Sequence, residues 1–206
     1  MSFEPTIVAF SGASGSGKST LAEALVTSRN ALSTGAAQLL PLDAYYRDLS
    51  ALSFAERDRT NFDHPDSIEF ERFYADLEIL KSGSGVFRPV YDFSEHSRSG
   101  DQVWVESSPL LVIEGVLLPA WPELRQVVDL WVFVDTPLDL CLTRRIERDG
   151  ITRGRTEASV RQFWTERVEP MYHAWGSQGR QMADLIVRGD ADLSLALEQV
   201  IAALNK

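Results

Sequence analysis

The chain is poor in cysteine and histidine, carries no surplus of basic residues, and has no long apolar run. Its one cysteine, Cys141, cannot close a disulfide within the chain. One cysteine and three histidines do not make a zinc cluster. Basic residues number 20 against 30 acidic ones, a net charge of −10. Nucleic acids and anionic membranes call for a basic surface, so neither is an expected partner, although a small basic pocket for an anionic ligand is compatible with this balance. No apolar stretch approaches the roughly 18 residues of a membrane span. The first residues lack the basic-then-apolar pattern of a secretory signal, so a cytoplasmic location is expected.

What the chain has is an ordinary globular composition, 44% hydrophobic and 24% charged. At about 150 residues per domain, the length is read as one domain over residues 1–206. Apolar runs at Thr6–Phe10, Gln38–Leu42, Leu110–Ile113, Leu130–Val134 and Leu185–Val187 predict buried strands. Helical spacing follows Lys18, recurs at Leu138, Cys141, Leu142 and Ile146, and recurs again near the C-terminus at Leu193, Leu197, Val200, Ile201 and Leu204. A further stripe joins Val160, Phe163, Trp164, Val168, Met171 and Trp175. Apolar strands alternating with helices imply an α/β fold, a parallel sheet flanked by helices. Residues 50–106 break the rhythm and are read as an insertion, with hairpin strands near Val86–Val90 and Val103–Val105.

Gly12-Ala13-Ser14-Gly15-Ser16-Gly17-Lys18-Ser19 fits the pattern G-x-x-x-x-G-K-[ST] between a strand and a helix. Glycines let backbone N–H groups converge on phosphate oxygens, and the helix N-terminus adds partial positive charge. Lys18 suits the β- and γ-phosphates, and the Ser19 hydroxyl suits Mg²⁺. Residues Gly12 to Thr20 are therefore the expected nucleotide site, with a P-loop NTPase fold around it. Asp43, Glu114 and Asp135 each follow an apolar run, where ligands of open parallel sheets sit. Asp43 is a candidate proton acceptor and metal ligand, Glu114 a second carboxylate for Mg²⁺, and Asp135 a helix cap. Arg144, Arg145, Arg148, Arg153 and Arg155 crowd one segment broken by Gly150 and Gly154. This predicts a glycine-hinged lid over about residues 145–158, because guanidinium forks pair well with phosphate. Dipole compensation and surface pairing with Glu147 and Asp149 are the alternative for Arg144.

Together these segments resemble the uridine kinase (uridine/cytidine kinase) family over almost the whole chain. The likeness rests on Gly12 to Thr20, Asp43-Ala44-Tyr45-Tyr46, Asn61-Phe62-Asp63-His64-Pro65-Asp66 and Pro89-Val90-Tyr91-Asp92-Phe93. It continues through His96-Ser97-Arg98, Glu114-Gly115, Arg144-Arg145, Arg148-Asp149 and Arg153-Gly154-Arg155. The resemblance implies transfer of the γ-phosphoryl group of ATP or GTP, with Mg²⁺, to the 5′-hydroxyl of a pyrimidine nucleoside in salvage. It implies Asp43 as catalytic base, with Ser19, Asp43 and Glu114 around the metal. Asp63 matches the acid that holds the ribose, and Tyr46, Tyr91, Phe93 and His96 match the base pocket. Arg145 and Arg155 match arginines near the nucleoside, while Arg148 and Arg153 match lid positions that join Lys18 in catalysis.

One departure bears on the acceptor. The family's base-contacting glutamine falls on Phe163 in ungapped registration, with Gln162 one residue early. Phe163 belongs to the apolar stripe and is expected to be packed rather than to replace the amide. The family's Pro-Thr-Lys segment is replaced by Gln178-Gly179-Arg180-Gln181. The same chemistry on another riboside or a sugar phosphate is therefore an alternative, and a non-kinase nucleotide switch a more distant one. No N-K-x-D guanine signature supports the switch. The family is often oligomeric, which allows a homo-oligomer here.

Overall fold

The computed structural model describes residues 4–206. β1 (Thr6–Ser11) runs through the glycine-rich loop into α1 (Lys18–Leu32) and then β2 (Ala37–Pro41). Residues 50–106 form α2 (Phe54–Asp58), α3 (Phe70–Lys81) and an antiparallel pair, β3 (Val86–Asp92) with β4 (Ser97–Val105). The chain returns as β5 (Leu110–Glu114), β6 (Leu130–Asp135) and α4 (Leu138–Arg153). It ends with α5 (Glu157–Phe163), α6 (Glu169–Ala174), α7 (Gly179–Met182), β7 (Leu185–Arg188) and α8 (Leu193–Leu204). No described helix is long and apolar enough to cross a membrane.

Five strands form a parallel sheet in the order β2-β5-β1-β6-β7. β1 sits at its centre, so its side chains must be apolar on both faces. Ile7 and Ala9 enter a core shared with Phe73, Leu77, Leu80 and Trp131. Val8 and Phe10 point the other way, against Leu21 and Leu25 of α1 and Val200 of α8. The register sets Phe10 and Pro41 on either side of Glu114. The loop after β1, the end of β5 and the turn carrying Asp43 therefore share one edge of the sheet.

Four sequence expectations change. The segment 50–106 supplies more than a hairpin: Phe70, Phe73, Leu77 and Leu80 of α3 are buried against the sheet. The segment expected as a lid is more helical than its glycines suggest, because α4 runs through Gly150 and ends at Arg153. Only Gly154, at φ +62°, turns the chain there. The stripe from Val160 to Trp175 does not continue as one α-helix. Trp164–Val168 winds as a π turn, which keeps Val160, Trp164 and Val168 buried and releases Phe163 to one side. Asp135 does not cap α4, whose first turn has no side-chain cap; its carboxylate pairs with Arg180.

Phe73 is fully buried, edge-on to Tyr45 at 5.2 Å between ring centres. Phe73→Ala should cost about 3–5 kcal/mol by urea unfolding. Leu32→Ala, at a site 79% exposed, should stay within about 0.5 kcal/mol of wild type. Equal losses at the two sites would contradict this core assignment.

Candidate active site

A loop that offers its N–H groups to an anion needs a tight, partly left-handed path. Gly15 adopts φ +86°, and a Cβ there would lie 2.4 Å from the Cys141 carbonyl oxygen. Gly189 packs as closely from β7, since a Cβ would lie 2.2 Å from the Ser16 carbonyl oxygen. The inward carbonyls are met by protein: Thr136 Oγ1 donates to Ser16 at 2.9 Å, and Arg144 Nη1 donates to Gly15, Ser16 and Gly189. Arg144 thus braces the loop, rather than compensating a helix dipole or pairing at the surface. Ser16 Oγ is buried with no hydrogen-bond partner among the described residues.

Lys18 starts α1 and is 7% exposed; its Nζ lies 3.9 Å from Glu114 Oε2. Ser19 Oγ donates to the same oxygen at 3.0 Å. Burial raises the Glu114 carboxyl above its usual range, Lys18 opposes this, and Asp43 adds to it. No group of three or more Asp, Glu, His or Cys side chains among the described residues could hold a metal by itself. Mg²⁺ asks for less, since it commonly takes one or two protein oxygens and completes its shell with phosphates and water. The oxygen set of Ser19, Glu114 and Asp43 fits that demand.

Asp43 sits in a single 3₁₀ turn, Leu42–Tyr45, just past β2. Beside it opens a crevice bordered by Lys18, Ser19, Asp43, Tyr46, Asp63, Tyr91, Phe93, His96, Arg145, Arg148, Arg153 and Arg155. Every acceptor-site residue expected from the sequence is in that list. Gly15, Gly17, Lys18, Ser19 and Thr20 border a second hollow together with Arg144, Arg148, Gly189 and Leu193. Gly12, Ala13, Ser16 and Glu114 line neither hollow, and Ser14 lines the first.

Part of the crevice wall is an aromatic box. Tyr46 meets Tyr91 at 5.0 Å and Phe62 at 5.5 Å, and Tyr91 meets Phe93 at 5.2 Å. His96 stacks on Phe62 at 5.2 Å and 16°. A positive φ of 51° at His96, after a turn in which Asp92 accepts from Ser94 and Glu95, aims the imidazole inward. Burial, then the nearby Arg155, lowers the His96 pKa, favouring its neutral form. Burial raises the Tyr46 phenol, helped by Asp43 and Asp63, so it remains a donor. The Tyr91 hydroxyl is buried without a partner among the described residues. Asp63 is raised by burial against the pull of Arg145, with Asp43 raising it further.

Sequence reasoning missed several walls of this crevice. Phe163 borders it, with the guanidiniums of Arg155 and Arg167 at 4.9 and 4.7 Å from its ring centre. It is therefore not packed in the core as its spacing suggested. Asp58, Thr60, Phe62 and Arg167 also line the crevice. Asp58 lies 3.7 Å from His96, and Arg167 is pinned by the carbonyls of Arg59 and Thr60. Asp149 is fully buried, not a surface partner.

Comparison with known proteins follows the same outline. The model of the phosphoribulokinase/uridine kinase family matches residues 7–194. The chain belongs to this family. A uridine kinase of Shewanella sp. (strain W3-18-1) is 42% identical over 182 residues, 88% of this chain and 86% of that protein. A uridine kinase of Klebsiella pneumoniae is 38% identical over 207 residues, covering 100% of this chain and 97% of that one. A putative fructose transport system kinase from Silicibacter sp. TM1040 superposes with a TM-score of 0.70 at 23% identity, over 89% of this chain and 90% of that one. Phosphoribulokinase from Rhodobacter spheroides does so at 0.65 and 20% identity, over 91% of this chain and 71% of that one. The two structures share this chain's fold, which with the family match is the P-loop NTPase fold. As a member of this family, the chain is a phosphotransferase.

Asp63 has a stability consequence whose sign is fixed. Its folded pKa lies above the ordinary 3.8, so the folded state holds a proton over a range where the unfolded chain has lost it. Stability therefore falls as pH rises from 3.8 through the folded value. Asp63→Asn should melt higher than wild type near pH 7, and the gap should close toward about pH 4. Melting curves across that range check it; a gap constant with pH would contradict the assignment.

Proposed function

We propose that the enzyme transfers the γ-phosphoryl group of ATP or GTP to the 5′-hydroxyl of uridine or cytidine, giving the 5′-monophosphate in the cytoplasm. The observation that carries this is one crevice holding Asp43, Asp63 and the aromatic box beside the phosphate loop. The identity with named uridine kinases supports it.

Each residue has a chemical part. The loop N–H groups and Lys18 hold the triphosphate tail. Asp43 accepts the proton of the attacking hydroxyl, since it borders the crevice where phosphate loop and acceptor box meet. Ser19, Glu114 and Asp43 would hold Mg²⁺, which when bound offsets charge on the phosphates. Asp63 accepts hydrogen bonds from the vicinal ribose hydroxyls. Tyr46, Phe93 and His96 enclose the base, and the free Tyr91 hydroxyl donates to its polar edge. Arg145 and Arg155 flank the nucleoside, while Arg148 and Arg153 approach the phosphates and exclude water.

Phe163 favours a second reading of the acceptor. A ring with two guanidiniums replaces the expected amide and offers stacking in place of edge reading. The same transfer to another riboside or to a sugar phosphate fits that wall.

A panel of nucleosides, other ribosides and sugar phosphates, scored by coupled ADP release, separates the two. Uridine or cytidine should give the highest kcat/KM; a sugar phosphate in first place would replace the first reading with the second. Asp43→Asn should lower kcat by about 10²–10⁴-fold with ATP affinity retained. Near-normal turnover in that variant would remove Asp43 from the mechanism. Lys18→Ala should weaken ATP binding and turnover together.

A further inference from the structure

Asp149 is fully buried in α4 and belongs to neither the phosphate loop nor the crevice wall. Its Oδ1 accepts from Arg148 Nε at 2.9 Å and lies 2.9 Å from Arg148 Nη2. Its Oδ2 lies 3.5 Å from Arg145 Nε and 3.7 Å from Arg153 Nη1. Its backbone carbonyl accepts the N–H of Arg155 across the Gly154 turn at 3.1 Å. Arg145 reaches on to the loop, donating to Ser14 Oγ at 2.9 Å. One residue thus ties four arginines of the crevice together and joins the lid to the phosphate loop. Residues 145, 149 and 153 achieve this because i, i+4 positions share a helix face.

Stability does not explain such a cluster, since a buried ion pair gains little over apolar packing of the same volume. Charge does. Three guanidiniums share one carboxylate, so positive charge remains in excess beside the loop. Asp149 Oδ2 and Arg145 Nε are buried and make no hydrogen bond among the described residues, so the set is not internally satisfied. A held, under-neutralised cluster suits charge that spreads over the oxygens of a phosphoryl group in transfer.

We propose that Asp149 is a positioning residue for phosphoryl transfer: it holds Arg148 and Arg153 where they meet charge developing on the transferring group, and Arg145 against the phosphate loop at Ser14. It also neutralises part of their pull on the ground-state triphosphate. The proposal rests on the phosphotransferase reading, and wild-type turnover tests that reading separately.

The full-length Asp149→Asn variant keeps the side-chain volume and removes the charge. Its kcat should fall about 10²-fold, as misplaced catalytic groups typically cost. KM for ATP should stay within about threefold or decrease, since the arginines remain charged. Calorimetry with Mg²⁺, ADP and nucleoside gives a second readout: aluminium fluoride should tighten ADP binding in wild type and much less in the variant. That ratio is independent of the folded fraction, so a merely structural role would leave it unchanged. Should the Asn variant not fold, Asp149→Glu keeps the charge and displaces it, and the same drop in the ratio is expected. A wild-type ratio in either folded variant, or kcat within threefold of wild type, overturns the proposal.

Discussion

A peptide loop cannot point its N–H groups at an anion without turning carbonyls the other way, and buried carbonyls need donors. The rest of this site depends on meeting that demand. Thr136 and Arg144 satisfy the inward carbonyls of Gly15 and Ser16, from the segment after β6 and from α4. Gly189 leaves room for the same loop from β7. Three elements distant in sequence therefore fix the loop, and the parallel sheet is what brings their ends to one edge. The central place of β1 follows: a loop after an outermost strand would lack neighbours on one side.

The same helix that braces the loop carries three arginines of the crevice, Arg145, Arg148 and Arg153. Arg144 faces the loop carbonyls, while Arg145 and Arg148 border the aromatic crevice from the same turn of α4. A chain with net charge −10 concentrates its cations here, so the local field opposes the global one. The acidic remainder discourages nonspecific anion binding elsewhere, and the crevice stays attractive to phosphate.

Much of this was legible in the sequence, for reasons that differ by element. Buried parallel strands are continuous apolar runs, so the three inner strands β1, β5 and β6 stand out at once, while the outer strands β2 and β7 are only partly buried. The phosphate loop is local in sequence and needs no tertiary knowledge. Phe70, Phe73, Leu77 and Leu80 of α3 carry a helical period that is readable but sits among polar and aromatic residues. Phe163 was misplaced because periodicity assumes one winding, and a π turn changes it. Asp149 looks like any charged residue beside arginines; only packing shows that water is excluded from it. Asp135 obeys capping statistics, yet Arg180, far along the chain, claims its carboxylate.

The winding at Trp164–Val168 also bears on how this helix tolerates change in length. A π turn holds one residue more than an α turn needs, so excising one position there would let the segment relax to ordinary winding. The flanking faces, with Val160 on one side and Tyr172 on the other, would keep their partners. The same excision within α4 would rotate everything beyond it by about 100° and scatter the arginines from their shared face. Two consecutive helical segments thus differ sharply in the deletions they can absorb.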